Sequence, residues 1–104
     1  MILSLMAVLA VQAEPSVLTY ADFSRPPMPE VPAAALSRGI STGSATVECD
    51  VQGERITICK IISEDRPEVR FGMMLISELR RATLRPEVAS KTTRFRMTAR
   101  FITY

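Results

Sequence analysis

Two sets of residues in this chain are spaced so that they could do chemistry: the pair Cys49 and Cys59, and the row Arg94, Arg96, Thr98 and Arg100, whose members stand two apart. Two thiols can bridge, exchange electrons or take a soft metal. Redox catalysis needs a thiol of lowered pKa, at a helix N-terminus or in a C-x-x-C pair. Cys49 and Cys59 are too far apart for that pair and lie in strand-forming sequence. The chain has no His, which removes the usual near-neutral acid and base, the commonest metal ligand, and any Ser-His or Cys-His nucleophile pair. The residues therefore predict a protein that is not an enzyme, with no metal, no cofactor and no small-molecule substrate. The cysteines are expected to be structural and the arginine row to face a partner.

The elements that position the cysteines are legible. Ser44 to Val51 and Ile56 to Ile62 alternate in polarity and flank Gln52-Gly53-Glu54-Arg55, a hairpin turn. Cys49 directly opposite Cys59 sets Val47 against Ile61, Glu48 against Lys60 and Val51 against Thr57, with Gly53-Glu54-Arg55 as the loop. That register gathers the apolar side chains on one face and places opposite charges across from each other on the other. Directly opposed residues lie within disulfide reach, whereas diagonal ones do not. The tighter two-residue Gln52-Gly53 turn would throw the cysteines onto opposite faces. The alternative, two buried free thiols, belongs to a reducing compartment.

Compartment is read from the N-terminus. Met1 to Val11 is almost wholly apolar and runs into Gln12-Ala13, a small-residue exit, so residues 1–13 read as a secretory signal peptide cleaved after Ala13. No Lys or Arg precedes the apolar run, and a start assigned too far downstream would explain that. The plain alternative is a buried N-terminal helix or strand. Residues 14–32 hold Pro15, Pro26, Pro27, Pro29 and Pro32 and read as a proline-rich linker. Pro32 then opens a short helix, Ala33 to Arg38, closed by Gly39.

After the hairpin, Phe71, Leu75 and Leu79 recur at helical spacing, with Met74 and Ile76 beside them. They predict a longer helix that ends before Arg85-Pro86. The adjacent Met73-Met74 pair reads as core filling rather than as a metal contact. In the last segment Phe95, Met97, Ala99 and Phe101 alternate with Arg94, Arg96, Thr98 and Arg100, the pattern of a half-buried strand with a cationic outer face. A solvated sheet face accounts for such a row more readily than a ligand site does, because charged residues also protect sheet edges. With 104 residues and a net charge of +2, the chain has room for one small domain and little attraction for nucleic acid. The expected fold is α+β. It has two layers, a three-stranded antiparallel sheet packed against one long and one short helix in the order α-β-β-α-β, spanning residues 33–104.

That order, together with its local motifs, resembles the C-terminal domain of TonB-like energy transducers. The likeness runs through Pro26-Pro27-x-Pro29 and Pro32, Ala35, Gly39-Ile40, Gly43-x-x-x-Val47, the Gln52-Gly53 hairpin, Ile58 to Ser63, Phe71-Gly72 and Arg85-Pro86. Cys49, Cys59, Ser63-Glu64-x-x-Pro67 and Phe71-Gly72 look more particularly like a branch with one cysteine on each hairpin strand. The resemblance implies a periplasmic protein-interaction domain. It would take an extended segment of a partner, such as a TonB-dependent outer-membrane receptor, along its last strand. Full transducers carry an uncleaved membrane helix and a long spanning segment, so a cleaved leader here points to a stand-alone module. Two rival readings stay open: a membrane-anchored transducer whose true start lies upstream, and a structural domain without ligand. An open terminal strand on so small a sheet also raises a homodimer.

Overall fold

The computed structural model describes residues 15–103. The expected signal peptide, residues 1–13, lies outside them. The described chain opens with strands β1 (Ser16–Val17) and β2 (Phe23–Arg25), joined through a 3-10 turn at Tyr20–Asp22. Helix α1 (Ala33–Ser37) follows the prolines, with Pro32 as its N-cap. Next come the hairpin strands β3 (Thr42–Gln52) and β4 (Arg55–Glu64), then helix α2 (Phe71–Leu79). Strand β5 (Thr83–Leu84), helix α3 (Pro86–Ala89) and strand β6 (Arg94–Ile102) complete the fold.

The expected three-stranded antiparallel sheet with two helices is not the architecture. Among the described residues six strands form one mixed sheet in the order β1-β6-β3-β4-β5-β2, curled into a half-barrel and accompanied by three helices. Strands β1, β2 and β5 are two or three residues long, too short to show a two-residue alternation. Pro86, which from sequence only stops a helix, sits in the first turn of α3, where its missing N–H costs nothing. The proline-rich segment is built into the fold: Leu18, Phe23, Pro27 and Pro32 are all buried.

Curling follows from connectivity. β1 and β2 stand at opposite ends of the sheet order, yet only Leu18 to Asp22 joins them. Six residue steps reach at most about 20–22 Å, less through a 3-10 turn, while six strands laid flat would set their edges about 24 Å apart. The strap is pinned at its middle. Arg85 donates from Nε to the Ala21 carbonyl at 2.8 Å and from its backbone N–H to the Asp22 carbonyl at 3.1 Å. Asp22 in turn accepts from the Thr19 N–H at 2.8 Å. Phe23 meets Phe95 edge to face, with ring centroids 6.2 Å apart.

The inner face of the sheet buries Ala45, Val47 and Cys49 of β3 with Phe95, Met97, Ala99 and Phe101 of β6. Phe71, Leu75, Ile76 and Leu79 of α2 close over this layer, while Met73 faces outward at 56% exposure rather than filling the core. Gly43 makes the close fit possible at one end. A Cβ there would run into the Phe101 ring, which packs on Phe71 at 5.0 Å between centroids.

Cys49 and Cys59 are disulfide-bonded, directly opposed, with their Cα atoms 4.1 Å apart. Glu48 faces Lys60 and Val47 faces Ile61. Nearer the turn the expected register is corrected: Val51 faces Ile56, not Thr57, and Gln52 faces Arg55, so the loop is the pair Gly53-Glu54. Gly53 takes a positive φ of 64°, the tight turn that glycine allows. A register shift between Cys49 and Val51 absorbs the extra residue on β4, and that bulge keeps both cysteines on one face despite the two-residue loop.

Candidate protein-docking edge

Strand β6 alternates without interruption: Arg94, Arg96, Thr98 and Arg100 point outward while Phe95, Met97, Ala99 and Phe101 are buried. The outward residues of β3 stand directly opposite them, Asp50 against Arg94, Glu48 against Arg96, Thr46 against Thr98 and Ser44 against Arg100. This pairing divides the arginines. Arg94 Nε donates to Asp50 Oδ1 at 3.0 Å, and that hydrogen bond, with the carboxylate's charge, raises the guanidinium pKa above its ordinary value. Arg96 Nε donates to Glu48 Oε1 at 2.9 Å, and Lys60 Nζ approaches Glu48 Oε2 at 3.9 Å from the other side. Thr46 and Thr98 share a hydroxyl hydrogen bond at 2.8 Å.

Arg100 has no side-chain partner among the described residues. It borders a cavity of about 310 Å³ together with Thr42, Ser44, Asp65 and Ile102. Ser44 N–H already donates to Asp65 Oδ1 at 2.8 Å, which directs that carboxylate to the β3 backbone.

Backbone direction shows which side of β6 is open. Thr103 N–H donates to the Ser41 carbonyl at 2.7 Å and Val51 N–H to the Thr93 carbonyl at 2.9 Å, so odd-numbered residues face β3. Leu18 N–H donates to the Arg96 carbonyl at 3.0 Å, so even-numbered ones face the other way. On that side β1 runs parallel, with Ser16 opposite Phe95 and Val17 opposite Arg96. Beyond Leu18 no described strand continues, so the backbone groups of Thr98, Arg100 and Ile102 face an open edge.

The outer edge of β4 is also open along most of its length, since β5 meets it only at Arg55–Thr83. It differs in form. Two register shifts interrupt the β3–β4 ladder, between Thr46 and Val47 and between Cys49 and Val51, each with the extra residue on β4. Bulges twist an edge and break the even run of donors and acceptors that a joining strand needs. The β3–β6 ladder runs from Thr42–Ile102 to Asp50–Arg94 with no shift.

The row expected from sequence thus shares one face, but only Arg100 among its arginines remains uncommitted within the described chain. Sequence reasoning missed Glu48 and Asp50 as partners of the row. Their two-residue spacing matched that of Arg94 and Arg96, but the signal has meaning only once β3 is known to lie between β4 and β6. Among the described residues no cluster of acidic or cysteine side chains suits a metal, and no helix is long and apolar enough to cross a membrane. Compared with protein-family models and with curated proteins, the chain matches none.

Proposed function

We propose that this chain is a periplasmic protein-interaction domain that acts as TonB C-terminal domains do, taking an extended segment of a partner as an added strand on β6. The open edge at Thr98, Arg100 and Ile102 carries the reading, because unpaired backbone groups on a regular strand are what strand addition uses. The sequence motifs, from Pro26-Pro27-x-Pro29 to Arg85-Pro86, support the family likeness. The Cys49–Cys59 disulfide supports an oxidising compartment.

Arg100 favours a partner with a carboxylate beside it. A second copy paired antiparallel about Arg100 would set two guanidinium groups against each other, which disfavours self-association at this edge. An outer-membrane receptor is the partner class that the family likeness suggests.

The test is site-specific photocrosslinking in cells from Thr98, with Ile58 on β4 as control, followed by binding of a synthetic copy of the captured segment. Capture from Thr98 alone, with slowed amide exchange at Thr98, Arg100 and Ile102, is the expected result. Equal capture from both positions, or protection of β4 amides instead, would overturn the reading.

A further inference from the structure

We infer that β1 is a displaceable placeholder: the chain's own two-residue strand covers the N-terminal half of the β6 edge, and a partner segment longer than the open half must evict it. The inference rests on the docking reading above and adds a competitor built into the fold.

The attachment of β1 is slight beside that of its neighbours. Ser16 and Val17 are both exposed, Val17 at 77%, and the Leu18 N–H bond to Arg96 marks the end of the pairing. On its other side β6 is held by β3 along its whole length. Beyond β1 the strap is held by the buried side chain of Leu18, by the Thr19–Asp22 hydrogen bond and by the Arg85 clamp on Ala21 and Asp22. Peeling β1 from β6 as far as Thr19 exposes one buried side chain, Leu18, while Phe23 stays packed on Phe95. Peeling frees the β6 backbone beside Ser16 and Val17, that of Arg96 included, and lengthens the usable edge from Thr98–Ile102 to the whole strand.

Two substitutions at exposed positions shift this balance without touching the core. Val17→Gly weakens β1 by adding backbone freedom, and Ser16→Val strengthens it through strand propensity. The experiment is amide hydrogen exchange on the full chain, alone and with a synthetic peptide. The peptide has about eight residues, alternating Val and Thr around one Glu, which at ~3.3 Å per residue is long enough to lie along most of β6. Without peptide, the Leu18 amide should exchange about 100-fold faster than that of Ala99, an opening separate from global unfolding. Val17→Gly should raise both the Leu18 exchange rate and the peptide affinity about three-fold, and Ser16→Val should lower both. Bound peptide should protect Thr98, Arg100 and Ile102 while Leu18 loses its protection.

Leu18 exchanging as slowly as Ala99, or a peptide affinity unmoved by either substitution, would overturn the placeholder. If the peptide binds nowhere, the docking reading fails, and the exchange rates alone then decide: separate opening of Leu18 supports the placeholder and joint exchange with Ala99 overturns it.

Discussion

β3 has two long neighbours of different kinds. Toward β6 it runs in unbroken register, cross-linked on the outer face by Arg94–Asp50, Arg96–Glu48 and the Thr46–Thr98 hydroxyls. Toward β4 the ladder is broken twice and a disulfide joins the strands between the breaks. Both strands have open outer edges among the described residues. The difference bears on how readily an exposed edge accepts a further strand: bulges interrupt β4, where Ile58 stands 69% exposed, while the β6 ladder runs without a shift.

The largest way to break the comparison is to remove the packing that keeps β6 straight. Phe101 is buried against Phe71 and under Gly43, so Phe101→Ala should cost about 3–5 kcal/mol, read as a lower denaturation midpoint. A loss below ~1 kcal/mol would mean that the inner face is not the core. The matching perturbation on the other side is to open the disulfide. Closing a loop across a sequence separation of 10 contributes roughly 2.5–3 kcal/mol in the chain-entropy model, and that should be lost on reduction. Amide protection should then fall more along β4 than along β6. Equal loss on both strands would show that the bridge does not act through the β3–β4 register.

The arginines sharpen the comparison at smaller scale. Glu48 is only 8% exposed, so Arg96→Ser leaves its carboxylate with Lys60 alone at 3.9 Å. Arg96 is itself about half exposed, which lowers the expected cost to about 1–2 kcal/mol. Arg100→Ser should change stability by less than ~0.5 kcal/mol, because no described side chain depends on it. It should instead weaken binding of a carboxylate-bearing segment. The two substitutions thus separate fold from docking on one strand, and equal effects on thermal stability would erase that distinction.

What could be read from the sequence was what repeats or closes locally. β6 alternates over its whole length, and the cysteines, Glu48 and Lys60 agree on one register near the middle of the hairpin. The bulge that moved Val51 opposite Ile56 had no such signal, since two β-prone residues in sequence look the same whether paired or bulged. Ser16–Val17, Phe23–Arg25 and Thr83–Leu84 become strands only through the edges they meet, β6, β5 and β4 in turn, so their conformation is set by tertiary contacts. The same holds for the arginine row. Which guanidinium is neutralised depends on what β3 places opposite it, and β3 lies more than forty residues away in sequence.

The strap that ties the two sheet edges also imposes an order of events. Ser16 opposes Phe95, and the Ala21 carbonyl waits for Arg85, whereas Cys49 needs only Cys59, ten positions away. Pairings of small sequence separation close quickly and distant ones late. During synthesis the N-terminal segment therefore emerges first and docks last, after the disulfide-linked hairpin has formed and β6 has joined it. Through that interval the prolines between β2 and α1 guard the waiting chain, since a proline cannot donate to a ladder and makes a poor strand for stray pairing. Pulsed exchange during refolding would place Leu18 protection after that of β3 and β4; protection of Leu18 before the hairpin would reverse the order.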